Sequence, residues 1–165
     1  MRWPVTAASV DGASSLPGMS DHELTVLGST VREPIEHVEV FPAPPDVTEV
    51  CLTTDEVSSM CPVTSQPDLS RVEITYEPDE WCVETKSLKL YLWGFRDRAV
   101  FAEALAAEIA AEVLATAKPK QVTVTVTQRP RGGIVVSATS TKEPEAPPKL
   151  SPADRRRMRT QGYNG

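Results

Sequence analysis

The segment 61–68 reads CPVTSQPD and holds the two side chains best suited to covalent chemistry, Cys61 and Asp68. A thiolate is a soft nucleophile, and a carboxyl group seven residues later can supply a proton in the same step. Two prolines oppose a regular helix or a central strand, so we expect a loop that folds both groups toward one ligand. In isolation, such a pair is more often a buried structural cysteine and a turn-forming Pro-Asp.

A second polar string follows at residues 84–91, which read ETKSLKLY. It combines an acidic residue, two hydroxyls and two lysines ahead of an aromatic residue. Ammonium and hydroxyl groups suit phosphates, so this mixture indicates an anionic cofactor. Its presence favours the catalytic interpretation of Cys61 and Asp68 over the structural one.

The cysteines and histidines do not indicate a metal site. Cys51, Cys61 and Cys82 are an odd set whose separations match no C-x₂-C metal knuckle, and in a reducing cytoplasm they are free thiols. His22 and His37 precede every strongly patterned segment, so neither a zinc hydrolase nor a Ser-His-Asp site is favoured.

Charge and hydropathy limit the class of partner. The formal net charge is −6, whereas proteins that grip phosphate backbones need clustered Lys and Arg. We therefore expect a small-molecule substrate and no direct contact with nucleic acid. No stretch approaches the roughly 18–20 apolar residues of a membrane span, and the N-terminus lacks the apolar core of a signal peptide. The sequence predicts a cytoplasmic protein without a membrane partner.

The chain of 165 residues fits one domain with two tails. Residues 1–20 have no hydrophobic period, and residues 143–165 are rich in proline and charge, so both are predicted to be disordered. The folded domain is predicted over 21–142. Met19 offers an alternative start, and residues 1–18 are expected to be dispensable.

Period-two alternation of apolar and polar residues predicts strands at 71–77 and 121–127. A Pro-Arg-Gly-Gly turn signal and a further β-rich run follow the second strand, so residues 121–140 are predicted to form a hairpin. A weaker strand at 47–53 could pair with 71–77.

Residues 100–118 are rich in Ala, Leu and Glu and stop before Pro119, which predicts a helix. Helical spacing places Glu108 and Glu112 opposite the apolar face, where we expect them to be exposed. Glu103 falls at the edge of the apolar face. By position alone it is a first-turn glutamate favoured by the helix dipole.

Residues 87–96 are ambiguous. Leu88, Leu90 and Leu92 alternate as in a strand, whereas Leu88, Leu92 and Phe95 also lie on one helical stripe. The alternation favours a strand. The coarse order, with a helical centre between pairs of strands, predicts an α+β fold with antiparallel pairing.

Three strings together resemble the NADPH-dependent 7-cyano-7-deazaguanine reductases, nitrile reductases of the queuosine pathway. They are SSMCPVTSQPD at 58–68, ETKSLKLY at 84–91 and PRGGI at 130–134. Their order and intervals also fit, and the resemblance covers roughly residues 22–140. The first two strings are specific enough that chance is a poor explanation.

The resemblance implies a residue-by-residue mechanism. Cys61 would add to the nitrile carbon to give a thioimide, and Asp68 would protonate the nitrile nitrogen. Hydride from two NADPH molecules would then give the aminomethyl product. The implied substrate contacts are Val83, Glu84, Thr85, Ala102 and Glu103. The implied NADPH contacts are Thr85, Lys86, Arg131 and Gly132.

In the family, the residues at 102 and 103 are a His-Glu pair. Glu103 keeps the carboxylate, which would accept two hydrogen bonds from the N–H-rich edge of a guanine-like ring. Ala102 departs from the pattern and brings no polar group. The resemblance also implies that residues 87–96 are helical, against the alternation.

The family's tunnelling fold is an antiparallel sheet of two hairpins with helices packed on one face. Its subunits assemble into a ring or barrel with active sites at subunit interfaces, so the resemblance implies a homo-oligomer.

Three alternatives stay open at this point. One is an amidine-forming transferase of the same fold, which would resolve the thioimide with ammonia and would not need NADPH. Another is a zinc-dependent cyclohydrolase, which the cysteine and histidine positions disfavour. The third is a non-catalytic purine- or pterin-binding protein, with Ala102 as a sign of a decayed site.

Overall fold

The structure is a computed structural model that describes residues 25, 26 and 28–145. Most of the two predicted tails, including Met19 and the dispensable segment 1–18, lies outside these residues, as does His22. The strands and helices, in chain order, are β1 Val40–Pro42, β2 Val50–Met60, β3 Pro67–Glu77, β4 Trp81–Val83, α1 Thr85–Trp93, α2 Ala102–Ala117, β5 Gln121–Arg131 and β6 Ile134–Lys142.

Four strands form the main sheet in the order β2-β3-β5-β6, and every neighbouring pair is antiparallel. The sheet therefore consists of two hairpins, β2–β3 and β5–β6, joined along β3 and β5. The short strands β1 and β4 pair separately. These findings confirm the predicted α+β class, the antiparallel pairing, the hairpin at 121–140 and the pairing of the 47–53 region with 71–77.

One face of the sheet is apolar and buried because its residues alternate. Val72 and Ile74 of β3 and Val124 of β5 are at most 1% exposed. Helix α2 packs on this face, and its Leu105 and Ile109 have no exposed surface. The opposite face of the β5–β6 hairpin carries paired hydroxyl groups instead, with Oγ atoms 3.0 Å apart across the strands.

Residues 87–96 show why the alternation was misleading: the strand prediction is wrong and α1 is a helix. Both Glu84 carboxylate oxygens cap its start, accepting the N–H groups of Lys86 at 2.8 Å and Ser87 at 2.7 Å. Leu88 and Leu92, one helical turn apart, are buried together, whereas Leu90 is only partly buried. The separation of Leu88 and Leu92 by four residues fits one face of a strand as well as one face of a helix, so it did not distinguish the two.

The predicted exposure on α2 holds for Glu108, whose side chain is 40% exposed, but is wrong for Glu112. Glu108 forms a bidentate pair with Arg98, at 2.7 and 3.0 Å. The Glu112 side chain is 11% exposed and accepts the Val38 N–H at 2.8 Å. Residues 34–38 and Arg98 cover this face of the helix, and their packing cannot be read from the helical period.

The two edge strands of the sheet differ. On β2, a register shift between Thr54 and Val57 interrupts the pairing at Asp55 and Glu56. β6 has the sequence IVVSATSTK, with its one charge at Lys142 and no proline. A bulge and charges protect an edge from adding another strand, so β6 is the more open of the two.

No helix in the described ranges is long and apolar enough to cross a membrane.

Candidate active site

Cys61 immediately follows β2, in a turn that leads directly into β3. Its N–H donates to the Gln66 carbonyl at 2.8 Å, and its carbonyl accepts the Ser65 N–H at 3.0 Å. The predicted loop is therefore a tight hairpin turn, but it ends earlier than expected. Pro67 and Asp68 already belong to β3, since proline is tolerated as the first residue of a strand.

The Cys61 thiol is 9% exposed and is surrounded by hydrogen-bond donors. The Thr64 hydroxyl is the main cause that lowers its pKa from an ordinary value near 9 to about 7, followed by the N–H groups of Thr64 and Val63 and the Arg131 side chain. Each of these stabilises the thiolate more than the thiol. A substantial fraction of Cys61 is therefore ionised near neutral pH, as a nucleophile requires.

Asp68 lies on the buried face of the β2–β3 hairpin and is 6% exposed. Arg131 Nη2 lies 2.8 Å from Asp68 Oδ1, and Arg131 Nη1 lies 3.4 Å from Gln66 Oε1. Gly132 follows in the β5–β6 turn with a φ of 59°. The structure thus brings together the predicted nucleophile, the predicted acid and one predicted cofactor contact.

The start of α2 lies at this same end of the sheet. The Met60 N–H donates to the Arg98 carbonyl at 2.8 Å, and the Met60 carbonyl accepts the Val100 N–H at 3.1 Å. Ala102 is buried, while Glu103 is exposed and makes no hydrogen bond or ion pair within the described residues. The carboxylate of Glu103 is therefore available to a ligand.

The other predicted site residues lie where β4 leads into α1. Val83 is buried, and its N–H donates to the Tyr76 hydroxyl at 2.9 Å. Glu84 is buried as the helix cap described above. The Lys86 ammonium donates to the carbonyls of Val26 and Ser29. These polar groups are occupied mainly by backbone partners.

Thr85 faces a groove between α1 and β2 with a volume of about 450 Å³. Lys89 lines the same groove and makes no ion pair within the described part of the chain. The sequence interpretation missed Lys89, although it lies four residues after Thr85 and so on the same helical face. Lys86, which was predicted instead, points toward the segment that contains Val26.

Within one chain the two groups of site residues lie on different elements. Thr85 contacts the same groove as Leu52 near the start of β2, whereas Cys61 follows the end of that strand. The groove continues along β2 as far as Ser58, but Cys61 and Asp68 are not among the residues that line it. Within the described residues, the groove beside Thr85 and the turn that carries Cys61 are therefore separate parts of the surface.

The sequence interpretation also missed the supporting residues around Cys61. Thr64 and Gln66 lie inside the quoted CPVTSQPD string, but only the turn geometry shows that they contact Cys61 and Arg131. Ser59 and Ser70 are buried on the Asp68 side of the hairpin, and neither hydroxyl has a hydrogen-bond partner within the described residues. Ser59 lies inside the quoted string 58–68 but was not singled out there, and no sequence signal marked Ser70.

Across residues 25–26 and 28–145, no group of three or more His, Cys, Asp or Glu side chains is arranged to hold a metal ion.

Comparison with known proteins gives consistent matches. A family model described as "QueF-like protein" matches residues 67–146. The NADPH-dependent 7-cyano-7-deazaguanine reductase of Frankia casuarinae is 41% identical over 123 residues, which cover 74% of this chain and 98% of that protein. The protein of the same name from Alkalilimnicola ehrlichii is 40% identical over 66% of this chain and 85% of its own length.

Among solved structures, a crystal structure of "the archaeosine synthase QueF-Like in the apo form" matches with a TM-score of 0.56. It is 26% identical, and the match covers 59% of this chain and 95% of that one. The reductases are thus the more similar in sequence. With 41% identity over almost the whole length of one of them, this chain belongs to the family of NADPH-dependent 7-cyano-7-deazaguanine reductases.

Proposed function

We propose that this protein reduces the nitrile of 7-cyano-7-deazaguanine to the aminomethyl group of 7-aminomethyl-7-deazaguanine with NADPH, in queuosine biosynthesis. The observation that carries the proposal is the cluster of Cys61, Asp68 and Arg131 on a chain of this family. It provides a nucleophile that ionises near neutral pH beside a carboxyl group.

The first chemical step is addition. The Cys61 Sγ forms a bond to the nitrile carbon while one π bond of the nitrile breaks, and the nitrogen takes a proton from Asp68. The product is a neutral thioimide bound to Cys61, with Asp68 left as a carboxylate. The pKa of about 7 for Cys61 favours loss of the thiol proton, and Asp68 takes up that proton before it passes it to the nitrile nitrogen.

The described residues fit a phosphate-bearing cofactor in part. When bound, two molecules of NADPH supply the four electrons as hydride. The proposed contacts are Thr85, Lys86, Arg131 and Gly132, but Lys86 and Arg131 already have partners in the chain. Lys89 lies beside Thr85 and makes no ion pair within the described residues, so it is the more accessible cation and joins this set.

The proposed contacts to the deazapurine come from both ends of the sheet. Glu103 is exposed and would accept two N–H groups of the ring, while Ala102 offers no polar side chain. Val83, Glu84 and Thr85 would contact the ring from the other end. Glu84 uses both oxygens as a helix cap, and each carboxylate oxygen retains a second lone pair for a ligand.

This division supports a homo-oligomer with active sites between subunits, in which one copy supplies Cys61 and a neighbour supplies Thr85. The end that carries Cys61 exposes several apolar side chains that suit such a contact. Its exposed members are Val63, Leu69, Phe101, Ile134 and Val135, of which Val63 is 77% exposed and Ile134 is 70% exposed. The open edge of β6 offers further pairing for a ring or barrel.

The direct test is to follow NADPH absorbance with 7-cyano-7-deazaguanine present and to identify the product by mass. We expect consumption of two NADPH per amine, and none with Cys61→Ala. Cys51→Ser is the matched control, because Cys51 is exposed and outside the turn. Binding without NADPH consumption, or an amidine formed only with ammonia, would contradict the proposal and support one of the alternatives.

A further inference from the structure

The cluster at the β2–β3 turn contains two acidic groups, the Cys61 thiol and the Asp68 carboxyl group, and one cation, the Arg131 guanidinium. Arg131 is 2.8 Å from Asp68 and 3.4 Å from the Gln66 side chain, and the backbone of the same Gln66 holds Cys61. The guanidinium therefore lies against both the turn that carries the thiol and the acid that follows it.

No other cation in the described ranges competes for this position. The carbonyl of Arg98 approaches Met60, but its guanidinium pairs with Glu108. Arg71 pairs with Asp55 near the exposed β2 bulge. Arg131 is also among the groups that lower the pKa of Cys61, after Thr64 and Val63. Within the described residues, Arg131 is thus the cation beside the Cys61 thiol, and Asp68 is the carboxylate that pairs with it.

We propose that Arg131 compensates a single negative charge that passes between Cys61 and Asp68 during the addition step. This inference takes its substrate from the proposed function. It gives Arg131 a role in the addition step that is separate from the proposed contact with NADPH. In the starting state of the proposed step, Cys61 is a thiol and the charge lies on the Asp68 carboxylate, 2.8 Å from the guanidinium. Proton transfer from Sγ to Asp68 moves the charge to the thiolate.

The addition step then returns the charge to its starting group. The S–C bond forms, one C–N π bond breaks, and the nitrile nitrogen takes the Asp68 proton, leaving a neutral thioimide and a carboxylate. The two acids carry one negative charge in total at every stage, always within reach of the same guanidinium. Because the charge never leaves its counterion, little desolvation energy is lost during the transfer.

The arrangement predicts opposite effects of two substitutions on one thiol. Arg131→Gln removes the positive charge and raises the pKa of Cys61. Asp68→Asn removes the competing anion and leaves the guanidinium to the thiolate, which lowers that pKa further. A general loosening of the turn would not shift the pKa of Cys61 in opposite directions in the two variants.

The first measurement needs no substrate. Iodoacetamide alkylation of Cys61 is followed against pH by intact mass in a background with Cys51→Ser and Cys82→Ser, which leaves Cys61 as the one thiol of the sequence. Below neutral pH we expect Arg131→Gln to slow alkylation by about threefold and Asp68→Asn to accelerate it by a similar factor, given the partial exposure of Arg131. Arg131→Lys should restore part of the rate.

The control is Arg129→Gln, an exposed position on the same strand that makes no ion pair within the described residues. It should leave the alkylation profile unchanged. Equal profiles for the background protein, Arg131→Gln and Asp68→Asn, or shifts of both variants in one direction, would overturn the inference.

The second measurement is thioimide formation with 7-cyano-7-deazaguanine in the absence of NADPH. Arg131→Gln should form the adduct about tenfold more slowly than Arg129→Gln, because both the thiolate and the returning carboxylate lose their counterion. An unchanged adduct rate with a weakened apparent affinity for NADPH would make Arg131 a cofactor contact only and would overturn the inference. Absence of an adduct in the unsubstituted protein would contradict the proposed function, while the alkylation profiles would still decide the role of Arg131.

Discussion

The two ends of the sheet use their polar side chains differently. At the turn end, defined by residues 61–68 with Arg131 and the start of α2, side chains contact one another, as Asp68 contacts Arg131. At the helix-start end, residues 83–86, they bind the backbone: Glu84 caps α1, and Lys86 holds two carbonyls of the segment before β1.

This difference separates residues that stabilise the fold from residues that serve mainly the site. Substitution at the helix-start end removes hydrogen bonds on which local structure depends, so stability and activity should change together. Substitution at the turn end changes the ionisation of Cys61 and Asp68 with less effect on the backbone. A motif residue such as Glu84 can therefore be required for folding and still contact a ligand.

The largest expected effect tests whether the two ends meet across subunits. Cys61→Ala disables the turn end, and Thr85→Arg fills the groove at the helix-start end. Each variant alone should be inactive, but subunit exchange in an equal mixture should restore about a quarter of the sites, because half of each contributed end is intact. The measurement is NADPH consumption before and after mixing. A mixture as inactive as its components would show that the site does not combine ends from different copies.

The second prediction concerns Glu103, the exposed carboxylate of the turn end. Glu103→Gln should raise the KM for 7-cyano-7-deazaguanine by about 10–100-fold, since an amide cannot accept two hydrogen bonds in the same way and loses the charge. Steady-state kinetics check this. Glu108→Gln is the comparison and should leave KM unchanged, because Glu108 pairs with Arg98. Equal KM values for the two variants would remove Glu103 from the site.

The third prediction separates the thiol from its hydrogen-bond donor. The Thr64 hydroxyl is the largest cause of the lowered pKa of Cys61, so Thr64→Val should raise that pKa from about 7 toward its ordinary value. The acid limb of the rate profile should move to higher pH, with a loss of about tenfold below neutrality and little loss in alkaline solution. Thr64→Ser retains the hydroxyl and should keep the original profile; an unmoved limb in Thr64→Val would contradict this cause.

The smallest expected effect is a stability difference between the ends. Glu84→Ala removes a helix cap and should lower the free energy of unfolding by about 1 kcal/mol. Glu103→Ala, which removes no hydrogen bond within the described residues, should change it by less than about 0.5 kcal/mol. Denaturant unfolding measures both. An equal loss of stability in Glu103→Ala and Glu84→Ala would contradict the proposed difference between the two ends.

The strands with a regular alternation of apolar and polar residues were predicted correctly from the sequence. The alternation at 71–77 and 121–127 predicted the strands, because one face of each strand is buried. The run 87–96 was misread because its leucines fit both periods and because its helix is capped by Glu84 rather than by the more common Ser, Thr, Asp or Asn.

Contacts between distant parts of the chain could not be predicted in this way. Glu112 was expected to be exposed, yet its partner Val38 lies 74 residues away. Cys61 and Asp68 were identified by their motif, whereas the contact of Asp68 with Arg131 depends on the neighbouring positions of two separate hairpins. The position of Lys89 on the same helical face as Thr85 could have been predicted once residues 87–96 were treated as a helix.

The order of synthesis protects the open edge of the sheet. Of the four strands in the main sheet, a ribosome makes β2 first, with its bulge and its acidic residues at the outer edge, and β3 and β5 follow. β6, whose only charge lies at its last residue, is made last among the described elements. Domains can begin to fold while the chain is still being made, and unpaired strand edges promote misassembly. The strand most able to pair with a neighbouring nascent chain therefore emerges only when its own hairpin partner is already available.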